Sequence, residues 1–141
     1  MNICNTAGQD RFKSLSISSF GGADGFIFIY DITNRESFNY IKQILMFTKY
    51  DAFDIPKIII VGNNCEKEYC RDVPKEMLKK LCNELNIEGI EVSSKTGENI
   101  LKSLEILSKS IIEKKTKEDF HIISTMEEIP KRKGLKKNKK P

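Results

Sequence analysis

The sequence has no tryptophan, one histidine (His121) and four cysteines (Cys4, Cys65, Cys70, Cys82) with no Cys-x-x-Cys pair. A single histidine and irregularly spaced cysteines furnish no obvious tetrahedral zinc site, and the pattern reads as reduced thiols. Long apolar runs are missing too. The longest uncharged one, Phe26–Tyr30, is far below the roughly 20 residues of a membrane span. No basic-then-apolar stretch opens the sequence, so a secretory signal is not expected. What remains is 141 residues, 39% hydrophobic and 31% charged, suited to a single domain with one core and above the disordered regime.

Charge is concentrated at one end. Residues 131–140, KRKGLKKNKK, hold seven of the 24 basic residues and no acid, leaving 17 basic against 20 acidic residues elsewhere. The body is therefore acidic, and the tail produces the pI of 8.8. Such a block repels itself and is expected to be flexible. It offers either a patch for phosphate groups on lipid or nucleic acid, or a solubilising terminus without a partner. No aromatic residue is interleaved in it, which places nucleic acid last among its partners.

Continuous rather than alternating apolar runs mark strands buried on both faces. They are Gly25–Tyr30, Lys57–Val61 and Gly89–Val92, with Met1–Cys4 as a weaker fourth. Helical spacing lies between and after them: Phe38, Ile41 and Leu45; then Leu78, Leu81, Cys82 and Leu85; then Ile100, Leu104, Leu107 and Ile111. Pro74 suits the first turn of the second helix, where its missing N–H costs nothing. Alternating strand and helix predicts an α/β fold, a parallel sheet covered on both faces. The apolar period fails near Lys114, so 1–113 is expected to be the folded domain and 114–141 a flexible tail. In open α/β sheets ligands bind beyond the carboxyl ends of the strands. Here those ends run into Asn5–Phe12, Asp31–Thr33, Gly62–Glu66 and Ser93–Gly97, all rich in groups that hold phosphates, metals or bases.

These loops carry a resemblance. Asn5-Thr-Ala-Gly-Gln-Asp-Arg-Phe12 resembles the D-T-A-G-Q-E-R-F signature of small GTPases of the Ras superfamily, in its Rab branch. Gly22-Ala-Asp-Gly25, Tyr30-Asp-Ile-Thr33 and Glu36-Ser-Phe38 are similar to the Rab pattern G-A-x-G, Y-D-I-T and S-F. Val61-Gly-Asn-Asn-Cys-Glu66 stands at the guanine-reading V-G-N-K-x-D, and Ser93-Ser-Lys95 at S-A-K. The likeness covers about residues 1–112, in family order and spacing.

The resemblance implies roles. Gln9 would orient the water attacking the γ-phosphate, as the corresponding Gln of Ras does. Gly8, without a Cβ, would let its N–H approach that phosphate. Glu66 takes the place of the Asp that accepts from guanine N1–H and the 2-amino group, and is one methylene longer. Asn63 would hold the base edge and the neighbouring loop. Asn64 replaces the Lys whose stem covers the base. Ser93 and Ser94 stand in the S-A-K loop, where the N–H at position 94 would meet guanine O6, and the stem of Lys95 would lie against the base. Guanine preference is expected to be weakened, not abolished. Asn5 occupies the Asp position near Mg²⁺, and a neutral amide there is expected to retain the ion less well.

These 141 residues hold no G-x-x-x-x-G-K-[ST] phosphate loop and no switch threonine. The fold class expected is therefore a partial P-loop NTPase (small G-protein) fold, a mostly parallel sheet flanked by helices, missing the first strand, first helix and second strand. Met1 is expected to be an internal residue of a longer protein. By resemblance the function is GTP binding with slow hydrolysis to GDP and phosphate, supported by Mg²⁺ and impaired here, in a switch for vesicle trafficking. The alternatives are a pseudo-GTPase acting as a protein-binding module, and a basic tail that binds anionic membrane or nucleic acid. The partners implied are trafficking effectors and regulators, with weak anionic membrane contact through 131–140. The implied state is a cytoplasmic monomer, peripheral at the cytosolic face of endomembranes. No Cys follows Cys82, so the family's prenylated cysteine has no counterpart in the sequence. Phe26, Ile27, Phe28, Ile29, Ile58, Ile59, Ile60, Leu81 and Leu104 are the expected core.

Overall fold

The computed structural model describes residues 2–3, 22–47 and 56–127. Three strands, β1 (Gly25–Asp31), β2 (Lys57–Asn63) and β3 (Glu88–Glu91), form a parallel sheet in the order β1-β2-β3. Helices α1 (Arg35–Phe47) and α2 (Lys75–Leu85) connect them, and α3 (Ile100–Glu127) follows. This is the partial small G-protein α/β fold that the sequence predicts. Of the weaker fourth strand, Asn2 and Ile3 lie in no strand and Ile3 is exposed, while Met1 and Cys4 fall outside the described residues.

Side chains alternate across the sheet and separate two apolar layers. Phe26, Phe28, Tyr30, Ile58 and Ile60 face α1 and α2, meeting Phe38, Ile41, Leu45, Leu78 and Leu81. Ile27, Ile59, Val61, Ile90 and Val92 face the start of α3, meeting Ile100, Leu107 and Ile111. Burial on both faces is why the runs read as continuous in the sequence. Ile29 is a correction to the expected core, being 61% exposed. Leu107 is buried against Ile59, Val61 and Val92, and Leu107 and Ile111 of α3 lie over Gly25 at the start of β1, while Ile29 on the same face is left open. Leu104 is only half-buried, and Leu107 takes the central place on α3.

Local signals fix the helix ends. The Asn34 side chain caps α1, its Oδ1 accepting the N–H groups of Glu36 (2.9 Å) and Ser37 (3.2 Å). Pro74 lies one residue before α2 rather than inside its first turn, with φ −58° and ψ 144°. Its carbonyl accepts the Met77 N–H at 3.0 Å, so the ring still costs no hydrogen bond. Asn86 ends α2 in the left-handed conformation, and the Ile87 N–H closes on the Cys82 carbonyl at 3.0 Å. At Gly89 a Cβ would meet Leu78 Cδ1 at 3.0 Å and press on Cys82 Sγ, so α2 lies directly on the β3 backbone. The chain divides into a compact unit ending at Ile111 and a second beginning at Ile112. The helix itself continues to Glu127, past the boundary at 113 expected from the apolar period.

Candidate functional site

In this parallel register Asp31 lies level with Asn63, and Gly62 with Glu91, so the strands end together. Backbone bonds then draw the following loops into one rim. The Ile32 N–H donates to the Asn63 carbonyl (3.1 Å), and the Cys65 N–H to the Val92 carbonyl (3.0 Å). Side chains complete the join. Asn63 Nδ2 donates to Ser94 Oγ at 3.1 Å, and the Ser94 N–H donates to Asn63 Oδ1 at 3.0 Å. The N–H that the resemblance assigned to guanine O6 is thus engaged by Asn63 in this structure.

The loop after β3 is closed on itself. Ser93 is fully buried, its Oγ accepts the Thr96 N–H (3.0 Å), and its N–H donates to the Glu98 carbonyl (3.1 Å). Gly97 sits at φ +84°, which a side chain would strain, and its N–H returns to the Ser93 carbonyl at 2.9 Å. Lys95 projects from this turn and is exposed.

After β2, Asn64 takes φ 69°, ψ 31°, a left-handed conformation Asn tolerates. It opens a short 3-10 helix, Cys65–Cys70, that carries Glu66. Both Glu66 carboxylate oxygens are screened from solvent and accept no hydrogen bond among the described residues. The nearby Ser93 hydroxyl, the residue's own N–H, and the charges of Lys67 and Lys95 nevertheless hold its pKa below the ordinary carboxylate value. Glu66 is therefore an anion at neutral pH.

Asp31 closes the β1 end. Its Oδ1 accepts from the Thr33 N–H (2.8 Å) and hydroxyl (2.7 Å). Burial pushes its pKa up, but the Asn64 amide and the two Thr33 donors outweigh that and hold it below the usual range. Asn64 thus leans toward Asp31. The Cys65 thiol is pushed up by burial and then by Glu98, whose Oε2 it faces at 3.7 Å, so it is a poor nucleophile.

Asn63, Asn64, Glu66, Ser93, Ser94 and Lys95 therefore lie on neighbouring loops at one rim of the sheet. Gly8, Gln9 and Asn5, the residues assigned to phosphate, water and Mg²⁺, lie outside the described residues, as does the basic cluster 131–140. Among the described residues no group of three or more His, Cys, Asp or Glu is placed to hold a metal. No helix among them is long and apolar enough to cross a membrane.

The sequence reading missed a polar clamp at the edge of this rim. Arg71 forks onto both oxygens of Glu91 (2.7 and 2.8 Å) and both oxygens of Glu68 (2.9 and 2.6 Å). One signal was present. Glu91 interrupts the apolar run Gly89–Val92 read from the sequence, and a largely buried carboxylate there demands a cationic partner.

The family model of the Ras family matches residues 1–113. The chain belongs to the Ras family. Within it the chain is Rab-like. It is 36% identical over 114 residues to the Ras-related protein Rab-3B of Bos taurus, and 37% identical over 114 residues to Rab-3A of Homo sapiens. Each alignment covers 81% of this chain and 52% of the relative, so the chain spans about half the length of the curated relatives it matches. The matched region includes every rim residue of this Ras-family chain and extends two residues past Ile111, where the compact unit ends.

Proposed function

We propose that the rim at the ends of β2 and β3 reads the guanine base of GTP and GDP, as part of a Rab-like switch in vesicle trafficking. The observation that carries this reading is Glu66, an anion whose two oxygens are screened from water and whose nearest donors, the Ser93 hydroxyl and its own N–H, stop short of full hydrogen bonds. A carboxylate held ionised with lone pairs to spare can accept further donors from a ligand. Guanine offers N1–H and the 2-amino group side by side, matching two carboxylate oxygens, whereas adenine presents an acceptor at N1.

In this reading Asn63 and Ser94 set the distance between the two loops, and the exposed Lys95 lays its stem along the base. Asn64, turned toward Asp31, gives no cover to the base face, and the guanine preference should be weaker than the family pattern implies. Gly8 and Gln9 serve the phosphate end: the Gly8 N–H approaches the γ-phosphate and Gln9 orients the attacking water. Bound Mg²⁺ supplies charge neutralisation of the phosphates, and Asn5 is the residue of this chain assigned to its surroundings. Partners are trafficking effectors and regulators, with the chain cytoplasmic and at the cytosolic face of endomembranes. Residues 131–140 add a salt-sensitive attraction to anionic lipid.

Titration with fluorescent GDP and ATP analogues, with and without Mg²⁺, tests the reading. The chain should prefer guanine, and Glu66→Ala should lower guanine affinity about tenfold or more. Gln9→Leu should leave binding nearly unchanged while cutting hydrolysis. Equal binding of the guanine and adenine nucleotides would overturn the base-reading role. No nucleotide binding at all would favour the pseudo-GTPase reading, a protein-binding module on the same fold.

A further inference from the structure

We propose that Arg71 is the positioning residue of the base-reading segment, clamping the turn that carries Glu66 onto the end of β3. The inference rests on the role proposed for Glu66 above.

The turn Cys65–Cys70 is a weak scaffold by itself. It has six residues, leaves Lys67 outside helical geometry (φ −94°, ψ 42°) and buries no side chain fully. With no fully buried anchor, the place of Glu66 depends strongly on polar ties at the ends of the turn. At the start, the Cys65 N–H bonds the Val92 carbonyl. Beyond the far end, the N–H groups of Asp72 and Val73 both donate to the Ile32 carbonyl at 2.9 Å, and Asp72 accepts the Arg35 N–H at 3.0 Å. Between these ties stands Arg71.

All five N–H donors of its guanidinium are used. Nε and one Nη2 hydrogen go to the two oxygens of Glu68, inside the turn. Nη1 and the other Nη2 hydrogen go to the two oxygens of Glu91, on β3. The remaining Nη1 hydrogen meets the Val73 carbonyl at 2.9 Å. The Arg71 and Glu91 side chains are 11% and 15% exposed, so little water competes at the β3 end, while Glu68 at the turn is 58% exposed. Glu91 lies two residues before Ser93. The clamp therefore fixes the spacing between Glu66 on one loop and Ser93, Ser94 and Lys95 on the other. Lysine could not do this, because three N–H donors on one nitrogen cannot pair with both oxygens of two carboxylates and the Val73 carbonyl together. A displaced Glu66 should still repel or attract by charge but lose its simultaneous contact with N1–H and the 2-amino group.

Arg71→Ala would leave the Glu91 carboxylate buried and unpaired, which risks unfolding. The test therefore uses Arg71→Lys and Glu91→Gln in the full chain. Affinities for GDP and for inosine diphosphate, which lacks the 2-amino group, are compared, and amide hydrogen exchange is followed without nucleotide. The expected result is a loss of about tenfold or more in the GDP-over-IDP preference, with faster exchange confined to residues 65–71 and unchanged exchange in β2. A purely structural role would lower the melting temperature and leave the preference intact, and that outcome overturns the proposal. If the parent chain shows no GDP-over-IDP preference, the base-reading role of Glu66 fails and exchange alone decides the clamp. Faster exchange at 65–71 in both variants then supports it, and unchanged exchange overturns it.

Discussion

Asn63 and Ser94 are joined by two opposed hydrogen bonds, side-chain amide to hydroxyl at 3.1 Å and backbone N–H to side-chain carbonyl at 3.0 Å. The pair ties loops that are 31 residues apart in the chain and keeps the ends of β2 and β3 in register. Asn63→Ala removes both bonds and should cost about 1–2 kcal/mol in urea unfolding. Ser94→Ala keeps the backbone bond and should cost about half as much. Equal costs would show that the backbone bond contributes nothing.

Ile59 and Ile29 lie on the same face of the sheet but differ in cover, 0% against 61% exposed. Ile59→Ala should cost about 2–5 kcal/mol by chemical denaturation, from lost burial and the cavity left behind. Ile29→Ala should change stability by no more than about half a kcal/mol. A large cost at Ile29 would mean that another segment packs on β1.

Tyr30 is fully buried, edge-on to Phe38, and its hydroxyl has no partner among the described residues. Burial, and then Glu91, push its pKa well above the ordinary phenol value, so the group is neutral at physiological pH. Tyr30→Phe should therefore be neutral or stabilising in a thermal melt, because the oxygen it removes loses no hydrogen bond. Gly62→Ala should do the reverse. Its Cβ would fall 2.7 Å from that hydroxyl and 2.8 Å from Cζ, and overpacking of this kind costs about 1–3 kcal/mol.

Asp31 predicts the acid limb of stability. Its folded pKa is below the unfolded one, so the folded chain binds that proton less readily and the stabilisation is present above the unfolded pKa, near about 4. It is lost as pH falls through the lower, folded value. Melting temperatures measured from pH 6 to pH 3 should fall less steeply for Asp31→Asn than for the parent chain. An identical slope would remove Asp31 from the acid response.

The strands and helices were legible because apolar spacing is a local property. Ile58–Val61 announces a strand covered on both faces, and Phe38, Ile41 and Leu45 announce one helical stripe. Asn63, Glu66 and Ser94 were legible as candidate site residues because their motifs are short and contiguous. Arg71 was not, since its partners Glu68 and Glu91 are three residues away on one side and 20 on the other, and only packing brings both to one guanidinium. The engagement of the Ser94 N–H by Asn63 was equally hidden, because a backbone donor leaves no mark on residue identity.

Hydrophobic period and turn chemistry are encoded residue by residue, so the sequence by itself determined the alternation of strand and helix and the order of the loops at the strand ends. It also carried the resemblance to the Ras superfamily. The tertiary structure alone decided that Ile29 stays open while Ile59 is sealed, that Asn64 turns to Asp31, and that the Glu66 oxygens are screened from solvent beside Ser93. Each of these depends on which groups from distant segments arrive at the same place, and on how much water remains between them.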